Sequence, residues 1–168
     1  MLATPATPWP VETRRTKPNT YSKILFLLYE YLQGGLQYEY VPGVFLPPGE
    51  LPMSAFRGPE CGGDACNIRI WELRRPQEEK RNFKGIPVKK SRFHYTYKGE
   101  PENIITYKLD IPADLLDKVL DLEGVRLFQD QLQQAGYKLQ EYEDDADGQD
   151  KPGKTVKLVP LISQPELF

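Results

Sequence analysis

Apolar residues recur at helical spacing in two windows of the chain. Between Tyr21 and Gln33, Leu25, Leu28 and Leu32 fall at three- and four-residue intervals, with Tyr21 and Ile24 on the flank. That stripe predicts an amphipathic helix, capped by Asn19 or Thr20 and ended by Gly34-Gly35. In the second window, Ala65 to Arg75, Cys66, Ile70 and Leu73 mark the inward face. Asp64 is its expected N-cap and Pro76 its stop. Asn67, Ile68, Trp71 and Arg75 then point outward, with Arg69 and Arg74 on the flanks. Residues 36–49 read as a short strand and turns. Glu50 to Arg57 predicts one or two helical turns that offer Leu51, Met53 and Phe56 to a core. The period then changes to two: Phe93, Tyr95 and Tyr97 alternate with Arg92, His94 and Thr96. After turn residues 98–103, Ile105, Tyr107 and Leu109 alternate again, which predicts a β-hairpin with a charged tip.

From Pro112 the pattern reads as helical once more, with Ala113, Leu116, Val119 and Leu120 on one stripe and Val125, Phe128 and Leu132 on a continuation that ends at Gly136. Glu141 to Lys154 is acidic and nearly free of apolar residues, so a loop is expected there. Thr155 to Ile162 suits one strand. Residues 1–18, with four prolines, read as an extended arm. The expected organisation is an arm (1–18), a domain of helices and hairpin (19–110), a helical extension (111–140), and an acidic loop, strand and tail (141–168).

The net charge of −2 hides a strong segregation. Residues 67–108 hold eleven Lys/Arg against five Glu, whereas residues 109–150 hold twelve Asp/Glu against three Lys/Arg. A basic block beside an acidic one points to a surface that faces a polyanion, with a separate solvated or partner-facing segment. No run approaches the roughly 18–20 apolar residues of a membrane span, and the first residues lack the basic start and apolar stretch of a secretion signal. A cytoplasmic protein without membrane contact is therefore expected. Cys61 and Cys66, with His94, are too few for a structural zinc site, and a reducing compartment disfavours a disulfide. Cys66 reads as a core thiol and Cys61 as a loop thiol.

Helix, short helix, helix and hairpin is the chain order of a winged helix-turn-helix domain. The stretch 63–75 (GDACNIRIWELRR) resembles the recognition helix of bacterial and phage winged-helix proteins, with Gly85-Ile86-Pro87-Val88 and Tyr107-Lys108-Leu109 in the places of the following turn and wing end. The likeness spans about 90 residues and departs in a long first connection (36–50) and an insert at 76–84. It implies an α+β fold, three helices plus a β-hairpin wing, with the helical extension behind it. It also implies double-stranded DNA as partner, read in the major groove. Asn67, Ile68, Arg69, Trp71, Arg74 and Arg75 would make the helix contacts, and Lys89, Lys90, Arg92 and Lys98 would reach phosphates from the wing. The terminal Gln164-Pro165-Glu166-Leu167-Phe168 is similar to the peptide by which bacterial replication and repair proteins dock on the sliding clamp, which implies Gln164, Leu167 and Phe168 as partner-binding residues.

Catalysis finds no foothold. His94 has no nucleophile or carboxylate set near it by the sequence, Asp144, Asp145 and Asp147 lack the further ligands of a calcium site, and Gly62-Gly63 lacks the lysine of a phosphate loop. A binding protein without catalytic residues, metal or cofactor is expected. Its competing roles are a transcriptional regulator that dimerises through 113–136, a replication or transposition accessory that couples DNA to the clamp, and a protein adaptor or inhibitor.

Overall fold

Helix α1 (Thr20–Gln33) buries Ser22, Ile24, Leu25 and Leu28, and helix α2 (Cys66–Arg74) buries Cys66, Ile70 and Leu73. Both stripes lie where the apolar spacing puts them, except that Leu32 is only half-buried. The structure, a computed structural model, describes residues 20–58, 61, 63–144 and 153–161, with Asp64 described by its backbone alone. Helix α2 starts from Ala65, at the end of a 3-10 turn over Gly63–Ala65, and makes no side-chain cap bond there.

Between the helices the chain forms strands where a second helix was expected. β1 (Glu39–Val41) and β2 (Val44–Phe45) make a small hairpin. β3 (Leu51–Pro52) follows, then a 3-10 turn over Met53–Phe56 that buries Phe56. Pro52 explains the outcome: it has no N–H to give to a helix or a central strand, and β3 lies at the edge of its sheet. That sheet has the order β3-β5-β4, all antiparallel. β4 (Val88–Tyr97) and β5 (Glu100–Leu109) pair along their full ten residues. Their turn is Lys98-Gly99, with φ of 50° and 80°, the two-residue geometry that matches the right-handed twist of the strands.

The register puts Val88, Tyr107, Leu109 and Leu51 on one face of the sheet, and all four are buried. On the opposite face Phe93 and Tyr95 stack with ring centroids 5.9 Å apart, and Tyr40 of β1 meets Tyr95 edge-on at 6.0 Å. Glu50 binds the same face, accepting a hydrogen bond from the buried Thr106 hydroxyl at 2.7 Å.

The second half of the chain departs furthest from expectation. The two helices within 113–136 are short: α3 (Leu116–Val119) has four residues and α4 (Gln129–Gln134) six. A tiny hairpin, β6 (Leu120–Asp121) with β7 (Arg126–Leu127), lies between them. Its turn is fastened by Asp121, which accepts from the Gly124 N–H at 3.0 Å and from Arg126 Nε at 2.9 Å. Burial alone would raise the Asp121 carboxyl, but these two donors outweigh it and hold its pKa below the ordinary carboxylate value. β8 (Tyr137–Asp144) and β9 (Gly153–Pro160) then form a second long hairpin, with register from Tyr137↔Pro160 to Asp144↔Gly153. Among the described residues there are thus four α-helices and nine strands. The fold is mixed α+β and strand-rich, so the expectation of three helices plus a wing with a helical C-terminal extension is overturned.

One core serves both halves. Ile111, Leu116, Val119, Leu120, Val125, Leu127 and Leu132 join the same buried cluster as Ile24, Leu28, Leu51, Ile70 and Leu109. Most of the apolar positions that a dimerising helix would have presented are therefore consumed inside the chain, while Ala113 and Phe128 stay exposed. Cys61 is buried as Cys66 is, and both are free thiols, so Cys61 is a core residue and not a loop thiol. No helix among the described residues is long and apolar enough to cross a membrane.

A polar contact at the surface also links the halves: the Tyr29 hydroxyl of α1 donates to Asp117 of α3 at 2.6 Å. The carboxylate acceptor, helped by partial burial, pushes the Tyr29 phenol up to about 12. A folded pKa raised above the unfolded value favours the neutral phenol, so this contribution to stability is complete below pH ~10 and is lost as pH rises through 12. Spectrophotometric titration of tyrosinate in Asp117→Asn is expected to show one phenol returning toward the ordinary value, with the other nine of the ten tyrosines unmoved.

Candidate functional site

The residues expected to touch DNA divide into two groups. On α2, Ile68 is exposed (51 %) and Asn67 is partly exposed. Arg69, with its side chain 38 % exposed, donates to Glu72 Oε1 at 2.8 Å and to the Tyr21 hydroxyl at 3.3 Å. The Tyr21 hydroxyl donates to the same carboxylate oxygen. Burial and the Glu72 acceptor raise the Tyr21 phenol, while Glu72 and Tyr21 raise the Arg69 guanidinium further. Lys84 adds its ammonium over the Tyr21 ring, 4.8 Å from the centroid. This flank of α2 is thus an organised polar knot that ties α1, α2 and the loop before β4 together.

Arg74 and Arg75 are not on the surface. Arg74 is completely buried. Its Nε donates to the Val88 carbonyl at 2.9 Å, and its Nη1 lies 2.8 Å from Asp144 Oδ2. Lys90 Nζ lies 3.6 Å from the same carboxylate oxygen. Arg75 is 3 % exposed, with its guanidinium 4.8 Å from the Trp71 ring centroid and against the backbone of Gly153. Trp71 is half-buried, and Phe83 meets it edge-to-face at 5.6 Å and 85°. The helical wheel that turned Arg75 and Trp71 outward is correct for an isolated rod. It fails here because the loop 76–84 and the β8–β9 hairpin cover that side. Arg74, Arg75 and the Lys90 side chain are therefore covered and not presented to a groove, which corrects that part of the expected site, while Trp71 keeps part of its ring exposed.

The hairpin β4–β5 keeps the rest. Lys89, Arg92 and Lys98 are exposed. Arg92 Nη1 donates to Asn103 Oδ1 across the strand pair, which holds the guanidinium along the hairpin. The exposed loop residues Lys80 and Arg81 follow α2 on the same segment of chain. Gln164, Leu167 and Phe168 lie outside the described residues. Among the described residues no group of three or more His, Cys, Asp or Glu is arranged to hold a metal ion.

Sequence reading missed Asp144 as a functional partner of Arg74. No local signal marks it within the acidic run, since its role depends on the β8–β9 hairpin returning to β4. Truncating Arg74 to Ala leaves the Val88 carbonyl without its donor and the Asp144 carboxylate with the more distant Lys90 ammonium, at an expected cost of about 3 kcal/mol in urea unfolding. At Gly153 any Cβ would collide with Arg75 Nη1. Gly153→Ala is expected to drive that guanidinium off the Trp71 ring, lowering stability by about 1–3 kcal/mol and shifting the Trp71 fluorescence. Comparison with protein families, with curated proteins and with solved structures gives no match for this chain.

Proposed function

We propose that this protein is a non-catalytic binder of double-stranded DNA that holds the duplex backbone with its long hairpin and takes part in transcription control. What carries this reading is the placement of Lys89, Arg92 and Lys98, three exposed cations on β4 and its turn. They sit on a ladder paired along ten residues, with Lys89 on one face, Arg92 on the other and Lys98 at the turn. Phosphate contact through such cations releases counterions and gives affinity without requiring base readout. Asn67, Ile68 and Arg69 keep enough exposure on α2 to flank the same duplex. Two free thiols, both buried, are compatible with a cytoplasmic setting. A second reading, an adaptor for another protein, draws on the exposed apolar side chains of Ile68 and of Phe45 (50 %).

Fluorescence anisotropy on a random duplex over a salt series tests this. The expected result is binding at low salt whose affinity falls steeply as salt rises. Lys89→Ala/Arg92→Ala/Lys98→Ala is expected to weaken it about tenfold or more and to flatten the log K against log[salt] slope by about 2–3. An unchanged slope in the triple variant removes the hairpin from the interface. Absence of binding to any duplex at about 50 mM salt removes DNA as the partner and leaves the adaptor.

A further inference from the structure

A cleft of about 460 Å³ opens between the end of α2 with the loop that follows it and the strand residues Glu141, Gly153 and Lys154 of β8 and β9. Its lining combines the aromatic pair Trp71 and Phe83 with the cations Arg75, Arg81 and Lys154 and the carboxylates Glu78 and Glu141. We propose that this cleft is a binding site for a nucleoside monophosphate, with the base against the aromatic pair and the phosphate on Arg81 and Lys154.

Four observations carry it. The volume lies in the range of small-molecule sites, roughly 300–1,000 Å³. The aromatic pair is preorganised, because the edge-to-face contact and the buried Arg75 guanidinium fix the indole before any ligand arrives. The two outer cations are available at low cost. Arg81 leans over the Phe83 ring at 5.4 Å and is exposed. Lys154 is 60 % exposed, and Glu141, 3.8 Å from its ammonium, is nearly as open to water. An exposed pair of that kind contributes little, so a phosphate displaces it readily and forms stronger charge-assisted bonds. Finally, the described lining sets the carboxylates Glu78 and Glu141 beside these cations, and they can accept from ribose hydroxyls or an exocyclic amine. This site uses none of the hairpin cations Lys89, Arg92 and Lys98, so its fate is separate from that of duplex binding.

The full chain carrying Trp9→Phe keeps Trp71 as its one indole. Titration of that protein with adenosine 5′-monophosphate is expected to change the Trp71 emission saturably. Adenosine alone and inorganic phosphate alone are each expected to bind at least tenfold more weakly. Arg81→Ala/Lys154→Ala, two exposed positions whose loss leaves the core intact, is expected to lose about tenfold in affinity for the monophosphate and none for adenosine. Calorimetry on the unsubstituted chain provides the second measurement. No heat and no emission change up to about 10 mM monophosphate overturns the proposal, and so does equal binding by the double variant.

Discussion

A guanidinium removed from water has to be met by fixed partners, and in this protein Arg74 sets that requirement at the centre of the fold. Moving such a charge into the interior costs several kcal/mol before any partner is counted. The Val88 carbonyl and the Asp144 carboxylate answer it from two directions. One belongs to the start of β4 and the other to the end of β8, so a single side chain from α2 registers the three-stranded sheet against the C-terminal hairpin. Lys90 shares the carboxylate, and Arg75, one residue on, is held against the Trp71 ring and the Gly153 backbone. Both arginines at the end of α2 are thus fixed by the C-terminal hairpin.

This arrangement alters the meaning of the charge segregation along the chain. The basic block and the acidic block are not simply two solvated faces. At Arg74, Lys90 and Asp144 they meet inside the protein, and part of the positive potential expected of residues 67–108 is neutralised there. What remains outside is concentrated on the β4–β5 hairpin and on the loop after α2. The surface open to an anion is therefore narrower than the sequence suggests, and it belongs to strand and loop rather than to helix.

Where the apolar pattern was strong and local, the sequence was legible: α1, α2 and the β4–β5 hairpin lie where periodicity puts them. It misled where short apolar clusters fit two periods at once. Leu116, Val119 and Leu120 suit a helical stripe, yet Leu120 begins a strand, and Val125 takes a φ of 51° that no helix contains. The alternation Tyr137, Leu139 on β8 was a usable signal, mirrored by Val156, Leu158 on β9, but the acidic residues from Glu141 onward obscured it. For the site, the cations on the hairpin were legible and the buried arginines were not. Whether an arginine at a helix end looks to water or to a carboxylate depends on a segment far along the chain, and residue type alone does not carry that information.

The distance in sequence between Arg74 and Asp144 has a consequence for how the molecule is made. When the last residue of β5 is added to the growing chain, Asp144 has not yet been synthesised, and neither have the core residues Leu116 to Leu132. The early half holds a desolvation penalty and an unfilled apolar face until the last hairpin arrives. Completion of the fold thus waits for the synthesis of β8 and β9, and a product lacking them lacks the closing charge as well as the closing strands.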